Sequence, residues 1–280
     1  IHRPLHAERK MKIIRFLRLI IKFFLIFVVS ISLELLVLIL QLFTAPIGYR
    51  KQTGALVGTM WGWLIARIMR IRITVYGKRK KTKEGVFFIS NHSSYIDIFI
   101  LYSLFLTNFV AKAEIRKWPI IGFLAYCGGT IFVNRKKSTD AKKYVNELKT
   151  TLRRGSNILI FPEGTSTRGE EIFPFFSSLF QAPLETGISI QPVYIYYYKF
   201  AGSRIKDNFN LIDKMSWYGD MNLLPHVAEL FQSKGVEVRV FIGKIIKTSE
   251  FSQDSSGRKA LTTTCYNEIV RLKTLADNME

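Results

Sequence analysis

Apolar residues are distributed along this chain in two regimes. From residue 23 to residue 43 they are nearly continuous, interrupted by Ser30, Ser32, Glu34 and Gln41. That length suffices for a helix to cross the hydrocarbon core of a bilayer. Ala45-Pro46-Ile47-Gly48 ends the run, because Pro and Gly together favour a turn. A second apolar stretch covers residues 55–69 and holds Trp61 and Trp63, with Arg67 and Arg70 near its end. Trp and Arg suit a membrane interface. The two stretches predict a helical hairpin whose second helix returns to, or lies along, the cytoplasmic face. The alternative is one spanning helix followed by a soluble helix.

Beyond residue 70 the apolar residues come in short runs. Strands are expected at 71–75, 86–90, 109–112, 129–133, 157–161 and 188–198. A further strand is expected at 236–242, where Val236, Val238, Val240 and Ile242 alternate with Glu237 and Arg239. Helices are expected at 95–105, 141–154 and 266–275. In the second of these, Tyr144, Leu148 and Leu152 share one face and Gly155 supplies the stop. Strands alternating with helices predict an α/β fold, a mostly parallel sheet flanked by helices, preceded by the membrane-associated hairpin. Residues 1–70 read as the anchor and 71–280 as the domain that carries the chemistry.

Charge sharpens this picture. The 280 residues carry a formal net charge of +20 with 48% hydrophobic residues. Such an excess points to an anionic partner, and the apolar N-terminus favours lipid over nucleic acid. No nucleic-acid-binding module is visible, and the aromatics fall in apolar runs rather than on a basic stacking face. Lys12, Arg15, Arg18 and Lys22 precede the apolar run, the positive flank expected on the cytoplasmic side of a membrane. A secretory signal would be shorter and end in small residues. Glu34 is costly in lipid unless protonated, paired or near an interface. Ile1 is not an initiator residue whereas Met11 could be, so residues 1–10 are given no structural weight. Cys127 and Cys265 share no metal or redox spacing.

The chemistry centres on Ile89-Ser90-Asn91-His92-Ser93-Ser94-Tyr95-Ile96-Asp97. On one straight helix, residues five apart point roughly 140° away from each other. His92 and Asp97 therefore meet only if His92 lies on the turn after the strand and Asp97 in the helix's first turn. Ser93 or Ser94 is a natural N-cap for that helix. In open α/β sheets ligands bind beyond the carboxyl ends of strands. His92, Arg135 and Glu163 each follow a predicted strand, so parallel strands would bring all three to one rim. His92 has the one side chain near these motifs whose ordinary pKa lies near neutrality. With Asp97 holding its tautomer, it can take a hydroxyl proton.

Four ordered blocks carry a family resemblance: Asn91-His92 through Asp97, then Gly129-Thr130-Ile131-Phe132-Val133-Asn134-Arg135, then Ile160-Phe161-Pro162-Glu163-Gly164-Thr165-Ser166-Thr167-Arg168, then Gln191-Pro192-Val193. From about residue 73 to residue 195 the chain resembles the glycerolipid acyltransferases, the PlsC-like 1-acyl-glycerol-3-phosphate acyltransferases. The resemblance implies that His92 activates the acceptor hydroxyl, which attacks an acyl thioester directly. It implies that Arg135, Glu163, Gly164, Thr165 and, with a second guanidinium, Arg168 bind the glycerol phosphate part of the acceptor. Glu163 could instead be a structural brace. Backbone N–H groups near Gly164 or at the helix start after His92 are candidate oxyanion donors. Acyl-CoA or an acyl-carrier protein would serve as cosubstrate, with no cofactor. No metal is expected, since His2, His6 and His226 form no ligand spacing with His92.

One departure matters. Family members commonly show Pro-Phe followed by Lys or Arg, whereas Pro174-Phe175 here precedes Phe176. Pro-Phe-x-Ser-Ser-Leu-Phe also resembles bacterial branches whose acceptor is another lysolipid, such as lyso-ornithine lipid. A lipid hydrolase is the rival enzyme, but its Gly-x-Ser-x-Gly elbow is absent. A non-catalytic lipid-binding protein on the same fold is the remaining alternative. Neither a P-loop nor a Gly-x-Gly-x-x-Gly fingerprint is present.

Overall fold

The computed structural model describes residues 5–80, 85–133, 138–206 and 208–279, the side chains of 5–7 and 138–141 excepted. Two long helices come first, α1 (Leu5–Thr44) and α2 (Arg50–Ile68). The α/β part follows in the order β1 (Ile71–Tyr76), β2 (Phe87–Ser90), α3 (Ile96–Leu104), β3 (Thr107–Lys112), α4 (Ile121–Cys127), β4 (Ile131–Val133), α5 (Ser138–Arg153) and β5 (Asn157–Ile160). It continues with α6 (Gln181–Thr186), β6 (Ile190–Phe200), β7 (Ser203–Arg204), α7 (Phe209–Met215), α8 (Leu223–Gln232), β8 (Val236–Ile242) and α9 (Ser255–Asn278).

The strands form one sheet in the order β1-β8-β6-β2-β5-β3-β4, with β7 folded back on β6. Five neighbours, β6, β2, β5, β3 and β4, run the same way. β8 is antiparallel to β6, and β1 is parallel to β8. β2 lies at the centre, and all four of its residues are buried, which is why its sequence is a continuous apolar run rather than an alternating one. Phe88 packs with Ile96, Ile100 and Val193 on one face. Phe87 and Ile89 pack with Leu148, Leu152 and Phe180 on the other. Each fully buried Phe contributes about 1.5–3 kcal/mol relative to exposure.

Several elements differ from the sequence reading. α9 starts near residue 255 rather than 266, because Asp254 caps it by accepting from Gly257 N at 2.8 Å. β4 starts at Ile131, since Gly129 takes φ +79° in a turn. The short helices α4, α6 and α7 were not expected, because their apolar runs are too brief to show a helical period; α8 was not expected either, although its ten residues are amphipathic.

α1 and α2 pack as an antiparallel pair, with Trp61 Nε1 donating to Ser30 Oγ at 2.9 Å. α1 also lies along the α/β part. Arg18 Nη1 donates to Gln232 O at 2.8 Å, Lys22 Nζ to Ser233 O at 3.0 Å and Gln41 Nε2 to Cys127 O at 2.8 Å. From Arg18 to Gln41 the helix rises about 35 Å. Its remaining flank is apolar and exposed, with Phe16, Phe23, Phe24, Phe27, Leu42 and Phe43 facing outward. Among the described residues it is the one helix long and apolar enough to cross a membrane. α2 turns a stripe of Gly54, Gly58 and Gly62 inward and packs closely on α3. A Cβ on Gly58 would stand 2.7 Å from the Tyr102 ring, and one on Gly62 would stand 2.5 Å from Tyr102 Cβ.

Candidate active site

β2 delivers the catalytic turn. Its ladder to β6 is prolonged by the side chain of Asn91, which donates to Ile195 O at 3.0 Å and accepts from Ile195 N at 2.8 Å. His92 comes next on the turn, and Asp97 lies in the first turn of α3. The two meet, with His92 Nδ1 2.8 Å from Asp97 Oδ2. An ionised carboxylate only accepts hydrogen bonds, so Nδ1 carries the proton and Nε2 is left as the base. No hydrogen bond holds Nε2 among the described residues. The imidazole stacks on Phe161, with centroids 3.9 Å apart and planes at 12°.

Neither Ser93 nor Ser94 caps α3 with its side chain, contrary to expectation. Tyr95 stands at the N-cap without a side-chain capping bond. Asp97 instead reaches back from within the first turn, and Oδ2 accepts from Ser93 N at 2.8 Å and Ser94 N at 2.9 Å. A carboxylate is favoured there because the amide dipoles of a helix start attract negative charge. Asp97 Oδ1 accepts from the Tyr197 hydroxyl of β6. The carboxylate is 0% exposed and has partners on both oxygens.

β5 runs parallel beside β2 and leads into the Phe161–Arg168 turn. Glu163 is buried there and braces two segments, its Oε1 accepting from His92 N at 3.2 Å and its Oε2 from Phe173 N at 2.8 Å. Burial pushes its carboxyl up to about 7, with the Asp97 charge adding to the rise and the two backbone bonds opposing it. Thr167 N completes the clamp by donating to His92 O at 2.9 Å. Gly164 adopts φ +70° at the tip of the turn, where a side chain would be strained. Thr165 is exposed beside it.

Two expectations change. The Gly164 amide donates to Phe161 O at 3.0 Å, and the amides of Ser93 and Ser94 are held by Asp97. These three amides are therefore already occupied, which leaves the other N–H groups near Gly164 and at the helix start as the candidates. Arg168 forms a two-point fork with Asp213 of α7, Nε to Oδ1 at 2.9 Å and Nη2 to Oδ2 at 3.2 Å, with its guanidinium over the Phe209 ring. Its donors are turned to a carboxylate rather than offered to a phosphate. Arg135 lies outside the described residues. The strand before it, β4, ends on the same edge of the sheet as β2 and β5.

Sequence reading missed Asn91 as a strand mimic, Phe161 as the ring under His92, and Tyr197. It also missed the α7–α8 segment. That segment rests on the catalytic turn, with Trp217 N donating to Ser93 O at 2.8 Å and Ser216 Oγ to Arg168 O at 3.1 Å. His226 of α8 lies 3.1 Å from the Tyr95 hydroxyl. Asn91 stood within the motif, and its amide beside a strand end was the available signal. Tyr197 gave none locally. Among the described residues no cluster of metal-ligating side chains occurs.

Residues 72–196 match the profile of the family described as Acyltransferase. A lyso-ornithine lipid O-acyltransferase of Brucella abortus is 31% identical over 215 residues, covering 74% of this chain and 77% of that one. Its counterpart in Pseudomonas aeruginosa is 32% identical over 202 residues, covering 72% and 74%. A 1-acyl-sn-glycerol-3-phosphate acyltransferase of Neisseria gonorrhoeae is 35% identical over 121 residues, covering 43% and 48%. The crystal structure of the 1-acyl-sn-glycerophosphate acyltransferase PlsC from Thermotoga maritima shares the fold, with a TM-score of 0.66 at 18% identity over 94% of this chain and 98% of that one. With its apolar α1 the chain associates with membranes. A histidine–aspartate pair at parallel strand ends and relatives spanning three quarters of its length place this chain in the PlsC-like acyltransferase family, as an O-acyltransferase of lipid biosynthesis.

Proposed function

We propose that His92 is the general base that moves a fatty acyl group from an acyl thioester to the free hydroxyl of a membrane lysolipid. The observation that carries this is the 2.8 Å contact between His92 Nδ1 and Asp97 Oδ2, which leaves Nε2 as the acceptor at the sheet's ligand-binding edge. The acceptor hydroxyl gives its proton to Nε2 while its oxygen bonds to the thioester carbonyl carbon. Asp97 stabilises the imidazolium, in the role an aspartate plays in serine-hydrolase triads. The tetrahedral oxyanion collapses, the C–S bond breaks, and the thiol leaves with the proton from His92. The donor is acyl-CoA or acyl-acyl-carrier protein. The basic excess suits either, since both are polyanionic.

For the acceptor, three observations favour a lysolipid built on an amino acid, of the lyso-ornithine type. Arg168 is paired with Asp213, Phe176 stands where the family commonly has a cation, and relatives named for lyso-ornithine lipid align over most of both chains. The second reading is 1-acyl-glycerol-3-phosphate, giving phosphatidic acid. It is favoured by Arg135 in its block and by the relatives named for that substrate. Glu163, Gly164 and Thr165 would shape the acceptor side in either reading. The membrane is the cytoplasmic one, with the α/β part on the cytoplasmic side, a reading supported by the cations that open α1. Purified protein with labelled acyl donor, offered a panel of lysolipids, decides between the acceptors. Absence of acyl transfer to every lysolipid would sink the proposal.

A further inference from the structure

β6 alternates its side chains between the two faces of the sheet. Val193 and Ile195 lie in the core on the α3 side, and Tyr197 packs against that same core. Tyr194 and Tyr196 belong to the opposite core. The parity of the strand thus aims Tyr197 at the start of α3. The Asn91 side chain ties both the N–H and the carbonyl of Ile195 to the catalytic turn, two residues before Tyr197. Just beyond Tyr197 the pairing of β6 with β8 slips by one residue, and such a bulge re-aims nearby side chains. Tyr197 is half-buried overall, and its hydroxyl meets the fully buried Asp97.

We propose that Tyr197 is a positioning residue of this acyl transfer, acting on His92 through Asp97. The proposal rests on the reading of His92 as the base. Asp97 Oδ2 is shared by three N–H donors, the His92 ring and the amides of Ser93 and Ser94. All three come from one short stretch of chain and move with it. Tyr197 holds the other oxygen from a central strand, so the carboxylate plane cannot turn about Cβ–Cγ without breaking a bond to the sheet. Phe161 fixes the imidazole plane from below. Together these contacts set the direction of Nε2. The phenol also draws charge from the carboxylate, so the carboxylate stabilises an imidazolium less strongly than one without that hydrogen bond would. The titratable groups around the pair are Tyr95 at the start of α3, with His226 behind it, Glu163 on the turn after β5, and Tyr197 itself.

Tyr197→Phe keeps the ring and removes the hydroxyl. The expected result is a kcat lower by roughly 5- to 50-fold, part of what a positioned base contributes. Michaelis constants for donor and acceptor should stay within about twofold, because Tyr197 acts through Asp97 rather than on the substrates. The acid limb of kcat against pH should move up by roughly half a unit to one unit, as the carboxylate recovers its charge. Burial raises the Glu163 carboxyl to about 7, so the comparison is repeated in a Glu163→Gln background, where the shift should persist. In an Asp97→Asn background the loss from Tyr197→Phe should be smaller and the acid limb should not move, since no carboxylate charge is left to recover. A 3-fluorotyrosine at position 197 keeps the fold and strengthens the donor, and it should move the acid limb down. Wild-type kcat and an unmoved acid limb in a folded Tyr197→Phe protein, or the same loss with and without Asp97, would overturn the inference. If His92→Ala is fully active, the underlying reading fails. If His92→Ala is inactive while Tyr197→Phe behaves as wild type, the Tyr197 inference alone fails.

Discussion

Glu163 holds His92 by its backbone, not by its ring: Oε1 accepts the His92 amide at 3.2 Å while Oε2 accepts from Phe173 at 2.8 Å. A buried carboxyl with its pKa raised to about 7 in the folded chain, from an ordinary value near 4.5, binds protons more tightly folded than unfolded. Stability from this group is therefore fully present below about pH 4.5, falls as pH rises toward 7, and levels off above that. The total is on the order of 3 kcal/mol. Melting temperature should decline across this window in the wild type and decline less in Glu163→Gln. Parallel curves for the two proteins would show that Glu163 is not the group that titrates.

The His92–Asp97 contact predicts two variants. His92→Ala should lower acyl transfer by on the order of 10² to 10⁴-fold with melting nearly unchanged, since the ring is partly exposed. Asp97→Asn should also lose rate while staying folded, because an amide oxygen can still accept from Ser93 and Ser94 and its NH₂ can donate to Tyr197. Asp97→Ala should differ. It leaves two amides, the His92 ring N–H and a hydroxyl without their acceptor, at about 1–3 kcal/mol for each that stays buried. Turnover and thermal melting measured together separate the cases, and a folded, fully active His92→Ala protein would remove the mechanism.

Acceptor choice turns on two guanidinium groups. If Arg135 grips a phosphate, Arg135→Ala should raise the Michaelis constant for lysophosphatidate by roughly 10- to 150-fold and leave that for the donor unchanged. Arg135→Lys should recover part of this, since Lys lacks the fork. Arg168 gives the complementary test, because Asp213 holds its fork. Asp213→Asn should release it and improve lysophosphatidate as an acceptor by about tenfold, the lower end of what one charge-assisted bond contributes. An acceptor without phosphate should gain nothing. Equal effects on both acceptors would place Arg168 outside the headgroup site.

Local pairs were legible in the sequence and distant ones were not. His92 and Asp97 are five residues apart, so a strand, a turn and a helix start in that order let them meet. The buried central strand β2 was equally plain from its unbroken apolar run. Tyr197 and Asp97 are a hundred residues apart. Their contact depends on β6 lying beside β2, and strand order leaves no periodic signature. Arg168 likewise reads as a free cation because Asp213, 45 residues later, comes from the unexpected α7. The Gly54, Gly58 and Gly62 stripe takes its meaning from the fold, where Gly58 and Gly62 bring α2 close to α3.

That stripe predicts a stability effect with a built-in control. At Gly58 a Cβ would meet the edge of the Tyr102 ring at 2.7 Å. Gly58→Ala should cost about 1–3 kcal/mol through forced repacking, which outweighs the fraction of a kcal/mol that Ala gains in helix propensity. In a Tyr102→Leu background the obstructing ring is gone, so Gly58→Ala should cost less or become stabilising. Denaturant melts of the four proteins measure the coupling. An additive pair would mean that α2 and α3 separate freely enough to absorb the methyl group.

Deleting residues 1–44 tests how the chain holds the membrane. The deletion removes the exposed apolar flank of α1, the strongest membrane-seeking surface on the chain. It also uncovers Val57 and Trp61, which α1 packs against. Leu56, Met60 and Trp63 already face outward from α2, and the basic surface remains. Part of the truncated protein should therefore leave the membrane, and part should stay. High salt should release what the basic surface holds, because exposed charge interactions are screened within about 10 Å at 0.1 M ionic strength. Detergent should release the rest. Complete recovery in the soluble fraction at low salt would make α1 the sole anchor. Retention that resists high salt would show that α2, once uncovered, inserts its own apolar side.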